Sequence, residues 1–290
     1  MGLKVFFNGE FVDRGEAKVS VFDHGLLYGD GVFEGIRSYN RRVFRLKMHI
    51  DRLYESADAI RLEIPVTKEA FQDDILKTLK MNDLNDAYIR VVVTRGVGDL
   101  GLDPRKCPNP NIFIIADKIA LYPEELYTKG LPIIIADTKR NHPITLDPRI
   151  KSLNYLNNIL AKIEAIDAGC IEALMLSLDG YVVECTGDNI FIVKNGKLIT
   201  PPADLGALEG VTQDTVIDLA KKRGIETEYE RMLPNELLEA DECFLTGTAA
   251  EIIPVIKIGE NIIASGNPGE ITNSLRADYR KLTETEGVEY

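Results

Sequence analysis

The stretch Pro148-Arg149-Ile150-Lys151-Ser152-Leu153-Asn154-Tyr155-Leu156-Asn157-Asn158 sets one lysine between an apolar residue and the start of a helix. Pro148 disfavours helix just before it, and Ser152 or Asn154 can cap the helix beyond. From Tyr155 to Ala168, Leu156, Ile159, Leu160 and Ile163 recur on one helical face until Gly169 stops the helix. A lysine at such a junction can lie in a cleft, where desolvation frees the amine for Schiff-base chemistry. Taken alone, Lys151 reads as a surface lysine. Two turns suit anions: Gly210-Val211-Thr212 and Gly247-Thr248-Ala249 each join a glycine and a hydroxyl to a helix or turn with backbone N–H groups to offer. Glu184 ends a strand just before the polar turn Cys185-Thr186-Gly187-Asp188-Asn189, and alone it reads as a solvated edge carboxylate.

The elements that must position these residues belong to a chain of 290 residues, long enough for one large domain or two ordinary ones. With 34 Lys and Arg against 46 Asp and Glu, the net charge is −12, which disfavours nucleic-acid or anionic-membrane binding. Cys107, Cys170, Cys185 and Cys243 are dispersed, as are His24, His49 and His142, so neither a disulfide framework nor a metal cluster is encoded locally. No signal-peptide core opens the chain and no apolar run reaches the roughly 18 residues of a membrane span. A soluble, cytoplasmic protein with buried thiols is expected.

Val5 to Phe7, Asn8-Gly9 and Phe11-Val12 read as a tight hairpin; Val32 to Tyr39 alternates at period two and is answered by Val43-Phe44-Arg45 across Asn40-Arg41. Leu46, Ile50, Leu53, Ala57 and Ile60 mark a helix, on which Arg52 reads locally as a solvated charge, and a second helix from Thr67 carries Phe71, Ile75 and Leu79. Tyr88 to Thr94 and Ile112 to Ala116 are buried strands. This α+β unit, residues 1–119, is followed by an expected linker over 120–130 and a larger α+β unit over 131–290. The latter should hold the strand Leu131 to Ala136, the Lys151 helix, and a meander through Ala173 to Leu178, Tyr181 to Glu184, Asn189 to Val193 and Lys197 to Thr200. A helix opened at Gly210, a strand Glu242 to Thr246 and a terminal helix Gly269 to Thr283 complete it. Gly96-Val97-Gly98-Asp99-Leu100-Gly101 matches a dinucleotide-binding fingerprint, with Asp117 in the place of a ribose-binding acid. The three prolines of Leu102 to Pro110 cannot supply the helix that motif needs, so a loop is expected and an NAD-binding oxidoreductase remains only a remote alternative.

A Schiff-base lysine, an acid able to pair with a pyridinium nitrogen and two phosphate cradles are together the inventory of a pyridoxal phosphate site. Five motifs in order, Tyr28 to Arg37, Lys151 to Tyr155, Glu184 to Phe191, Leu208 to Thr212 and Gly247 to Glu251, resemble the branched-chain amino acid aminotransferases across nearly the whole chain. Those enzymes are fold type IV pyridoxal phosphate proteins, D-amino acid aminotransferase-like, and the resemblance implies a two-domain fold with the cofactor between the domains. It implies Lys151 as the covalent lysine and proton carrier, Glu184 as partner of the pyridine nitrogen, and Arg52, Val211, Thr212 and Thr248 at the phosphate. Tyr155 matches the tyrosine at the cofactor's phenolic oxygen, although it follows the lysine by four residues where some members have five. Asn189, Leu208, Gly210 and Gly247 complete the implied cofactor site.

For substrate, the resemblance implies branched-chain L-amino acids (leucine, isoleucine, valine) exchanged with 2-oxoglutarate in a ping-pong cycle, the work of a biosynthetic branched-chain-amino-acid transaminase. Phe33, Tyr28, Tyr88 and Leu102 could form the apolar wall, with Arg37 beside them; Arg90, on the same strand face as Tyr88, could reach a distal carboxylate, and the Thr248 and Ala249 amides could hold the α-carboxylate. In the family, Tyr28 and the 96–102 loop serve a neighbouring subunit, so a homodimer is the least assembly expected, with a hexamer left open. The basic cluster Lys139-Arg140-Asn141-His142 could capture a carboxylate from another side, which keeps a D-amino acid aminotransferase in view, and aminodeoxychorismate lyases share the fold.

Overall fold

The computed structural model describes residues 2–118 and 122–290. Two compact units result, one of Met1–Ala120, Ile150–Asn154 and Thr283–Tyr290, the other of Leu121–Arg149 and Tyr155–Leu282. Chain order alone assigns Lys151 to the second unit, whereas here its segment packs with the first. Of the expected linker, residues 120 and 121 lie outside the described residues, and 124–129 form a helix.

The first unit contains β1 (Lys4–Phe7), β2 (Glu10–Asp13), α1 (His24–Tyr28), β3 (Gly31–Tyr39), β4 (Arg42–Val43), α2 (Leu46–Ala59), α3 (Lys68–Met81), β5 (Ala87–Thr94) and β6 (Asn111–Asp117). Its seven-stranded sheet runs Val288–Glu289, β4, β3, β5, β6, β1, β2. Both hairpin turns take the left-handed backbone expected of two-residue loops, Asn8-Gly9 at φ 49° and 93° and Asn40-Arg41 at 48° and 62°. Ile50, Leu53, Phe71, Ile75 and Leu79 of α2 and α3 cover one sheet face, meeting Ile36, Ile89 and Ile114. β3 is buried along its whole length, more than its period-two pattern implies, because side chains of β5 lie over its second face.

β4 is only two residues long and pairs β3 at Ser38 and Tyr39, which leaves the beginning of β3 with an open edge. Residues 151–153 fill it: the Phe33 N–H donates to the Lys151 carbonyl at 3.0 Å, the Leu153 N–H donates to the Gly31 carbonyl at 2.9 Å, and Ser152 bridges Val32. At the other end of α2, Arg95 acts as a clamp. Its Nε and Nη2 grip Asp30 at 2.9 and 3.0 Å, while Nη2 and Nη1 donate at 2.7 Å to the carbonyls of Ile60 and Arg61.

The second unit contains α4 (Glu124–Lys129), β7 (Leu131–Ile135), α5 (Leu156–Asp167), β8 (Glu172–Leu176), β9 (Val182–Cys185), β10 (Asn189–Lys194), β11 (Lys197–Thr200), α6 (Val211–Lys222), β12 (Thr227–Tyr229), α7 (Pro234–Leu238), β13 (Glu242–Gly247), β14 (Glu251–Ile258) and α8 (Glu270–Thr285). The strand order is β12-β11-β10-β13-β14-β7-β8-β9. The expected meander is therefore interrupted: β8–β9 and β10–β11 are hairpins, but β10 bonds to β13 rather than to β9. The apolar row of α5 does not form its packing face. Its buried face is made of Ala161 and Ala165 against Ala173 and Met175, while Leu156, Ile159, Leu160 and Ile163 stay exposed in the single chain, Leu156 at 67%. Small residues let the helix approach β8 closely, and the bulky row is left outward. Its N-cap is Tyr155, with no side-chain cap; Asn154 instead reaches the Gly29 carbonyl at 3.0 Å.

Replacing Arg95 with Met should leave Asp30 unpaired and α2 without its clamp, lowering stability by about 3 kcal/mol in urea unfolding. Combining it with Asp30→Asn should recover part of that loss.

Candidate active site

Within the first unit, Phe33, Gly35 and Arg37 point to one face of β3, and Val92, Arg90 and Tyr88 stand opposite them on β5. The Arg90 guanidinium lies 4.6 Å from the centroid of the Phe33 ring, and Lys151 Nζ lies 4.8 Å from that same centroid. Arg90 Nη2 donates to the Tyr88 hydroxyl at 3.0 Å. That hydroxyl crosses β3 directly above Gly35, where a methyl group would stand 2.1 Å from it. Gly35 is thus a glycine because of a close approach. Arg37 is buried, its guanidinium 4.3 Å from the Tyr39 ring centroid.

The opposite face of β3 carries Glu34, an acid between the core positions Val32 and Ile36. Arg52 Nε and Nη2 donate to its two oxygens at 2.7 and 3.0 Å, and His49 Nδ1 lies 2.8 Å away. Arg52 is therefore no solvated charge. Burial alone would raise the Glu34 pKa, but Arg52 and His49 outweigh it and hold the carboxyl well below the usual range. Burial lowers the His49 pKa, and the positive charges of Arg52 and Lys151 act in the same direction. Glu34 and His49 were not legible as site residues, though an acid among core positions and a His and Arg three residues apart on one helix were available signals.

Tyr28 and Leu102 stand on a different part of the unit. Tyr28 donates its hydroxyl to the Leu100 carbonyl at 2.6 Å, His24 Nε2 lies 2.7 Å from the Asp99 carbonyl, and Leu102 is 79% exposed. The Gly96 to Gly101 run is a loop followed by a single 3-10 turn, Pro104–Lys106, without the helix a dinucleotide site requires.

In the second unit, Glu184 is buried at the end of β9. Its Oε1 accepts from Arg140 Nε at 2.8 Å and Nη2 at 2.7 Å, and its Oε2 accepts from the Leu208 N–H at 2.9 Å. Glu184 is not an edge carboxylate, and Arg140, 5% exposed, is its buried partner. Asn189 Nδ2 donates to the Leu208 carbonyl at 2.8 Å, so the segment entering α6 is held from both sides. Gly210 caps α6 without a side-chain bond, beginning the first turn with Val211 and the buried Thr212. Gly247, Thr248 and Ala249 form the turn between β13 and β14. Both cradle glycines are sterically required: a methyl on Gly210 would meet Asn189 Oδ1 at 2.1 Å, and one on Gly247 would meet Asp188 Oδ1 at 1.8 Å. Thr246 Oγ1, buried beside this turn, has no hydrogen-bond partner among the described residues.

Residues 31–258 match the model of the amino-transferase class IV family. The chain belongs to the class IV aminotransferases. A Methanocaldococcus jannaschii protein, provisionally named as a branched-chain-amino-acid aminotransferase, is 54% identical over 99% of this chain and 98% of its own. The fold matches the Escherichia coli branched-chain amino acid aminotransferase with a TM-score of 0.95 at 34% identity, covering 99% of this chain and 97% of that one. It also matches a T.th. branched-chain amino acid aminotransferase solved with pyridoxamine 5′-phosphate, with a TM-score of 0.94 at 37% identity over 98% and 94% of the two chains.

Class IV aminotransferases use pyridoxal phosphate, and the residues present suit it. Two glycine turns, one opening α6, offer backbone N–H groups to a phosphate, and the unpartnered Thr246 hydroxyl lies buried beside the second. No helix among the described residues is long and apolar enough to cross a membrane.

Stability should fall as pH drops below 6.5, the ordinary histidine value, toward the lowered folded value of His49, because the unfolded imidazole binds a proton that the folded one refuses. Urea midpoints between about pH 7 and about pH 5.5 should show this loss in the wild type and a smaller one in His49→Asn.

Proposed function

We propose that the chain exchanges the amino group between branched-chain L-amino acids (leucine, isoleucine, valine) and 2-oxoglutarate, the first product leaving before the acceptor binds. The observation that carries this reading is the Phe33 ring with Lys151 Nζ 4.8 Å and the Arg90 guanidinium 4.6 Å from its centroid. An apolar surface lies between an amine that can form a covalent bond and a cation that can meet a distal carboxylate. Leucine can rest its side chain on the ring; 2-oxoglutarate can cross it and pair with Arg90. Both acceptor and donor then use one pocket.

Pyridoxal phosphate supplies the electron-withdrawing ring on which the exchange takes place. Lys151 would be the residue that holds the cofactor covalently, and its amine, once free, would be the group that carries a proton to and from the substrate Cα. Glu184 would hold the ring nitrogen in its protonated form, Tyr155 would meet the phenolic oxygen, and Arg52, Val211, Thr212 and Thr248 would bind the phosphate. Asn189 and Leu208 support that cradle through the Leu208 carbonyl and N–H. The Thr248 and Ala249 amides receive the α-carboxylate. Arg37, buried opposite Tyr88, completes the wall. Tyr28 and Leu102, on a surface loop assembly, serve the site of a second copy in at least a homodimer, in the cytoplasm. Within the Lys139 to His142 cluster, Arg140 is engaged by Glu184.

The purified enzyme should be yellow, and Lys151→Ala should lose both the cofactor adduct trapped by borohydride, read by mass spectrometry, and turnover. Arg90→Ala should lower kcat/KM for 2-oxoglutarate by about 10- to 100-fold, the worth of one charge-assisted hydrogen bond, with a much smaller effect on leucine. Equal losses for both would remove Arg90 from this role.

A further inference from the structure

We propose that Arg140 is the positioning residue that keeps Glu184 anionic and aimed, and so sets where the proton shared by Glu184 and the cofactor's ring nitrogen resides. This rests on the reading of Glu184 as partner of that nitrogen.

The geometry is that of a held counter-ion rather than of a recognition group. The Arg140 N–H is fixed to the Leu176 carbonyl at 2.9 Å, so its backbone is tied to the end of β8. Its side chain straddles one carboxylate oxygen with Nε and Nη2, at 2.8 and 2.7 Å, leaving the other to the Leu208 amide. Nη1 donates to Asn158 Oδ1 at 3.0 Å and to Asn157 Oδ1 at 3.3 Å, both in the first turn of α5. Those amides are fixed in turn: Asn158 Nδ2 donates to the Thr186 carbonyl and Asn157 Nδ2 to the Lys139 carbonyl, each at 2.8 Å. Thr186 closes the frame by donating its N–H at 3.0 Å, and its hydroxyl at 2.5 Å, to Glu172 Oε1.

Charge explains why an arginine is needed here. A buried carboxylate tends to take up a proton unless an opposite charge is close. Glu172, Asp188 and Glu184 all lie near the Cys185 thiol, so this end of the sheet gathers negative charge. Lys162 is turned to the Ile171 carbonyl and Glu172. Arg140 supplies the positive charge, and by favouring the anion of Glu184 it leaves the shared proton on the ring nitrogen, where it withdraws electrons from the reacting carbon.

The test compares Arg140→Gln, Arg140→Lys and Glu184→Gln as holoenzymes, reading kcat and KM for leucine and 2-oxoglutarate across pH together with the pH dependence of the cofactor's absorbance. Arg140→Gln should lower kcat at least tenfold with both KM values within about twofold, and should move the acid limb of the kcat profile upward by about one unit or more. Arg140→Lys should recover much of both effects, and Arg140→Ala stands in for Gln should that variant not fold. A selective rise in the KM for 2-oxoglutarate would make Arg140 a substrate residue and overturn the proposal. So would an unshifted pH profile and spectrum with only a lowered melting temperature. If Glu184→Gln itself leaves spectrum and profile unchanged, the reading of Glu184 fails first; if it alters them and neither Arg140 variant does, only the present proposal fails.

Discussion

The lysine stands where it does because strand β3 begins without a neighbour. Backbone N–H and C=O groups near a core must find partners, and the first residues of β3 find theirs in residues 151–153. Lys151 is tied a further time, its N–H donating to Ser56 Oγ on α2 at 3.1 Å. Main-chain bonds to a strand and a bond to a helix side chain therefore fix the Cα of Lys151. Such an anchor suits covalent chemistry, since the amine can swing while its base stays put.

Charge is treated with the same economy. In a chain of net charge −12, three arginines of low exposure each grip a carboxylate through Nε and Nη2: Arg52 on Glu34, Arg95 on Asp30 and Arg140 on Glu184. Buried pairs of this kind contribute little net stability against apolar replacements, but losing one partner is costly, so they define geometry more than they add strength. Each pair fixes a different part: the helix bearing Arg52, the end of that helix, and the acid of the second unit.

Much of this frame was legible in the residues. The Asn-Gly turn, the two amphipathic helices and the glycine-hydroxyl turns obey local rules, and Lys151, Glu184, Leu208 and Asn189 could be named before any coordinates. What escaped was non-local. Arg52 and Glu34 are 18 residues apart, Arg140 and Glu184 are 44 apart, and no periodicity links such partners. The apolar stripe of α5 belongs here too: spacing says that a face is apolar, not whether it is covered, and alanines make the closer packing surface. The departure of 150–154 from its chain-order neighbours likewise depended on an open strand edge elsewhere.

Strand β3 has a further consequence for how such a protein can change over generations. Its odd-numbered positions, Phe33, Gly35 and Arg37, face Tyr88 and Arg90, while the even-numbered Glu34 faces His49 and Arg52. Alternation along one strand thus keeps two sets of contacts apart. Substitutions at Phe33 or Arg37 can alter the face shared with Tyr88 and Arg90 without disturbing the arginine support on the reverse side, whereas Gly35 is held by the close approach of Tyr88. Insertion or deletion of a single residue has no such freedom, because it exchanges the two faces at once.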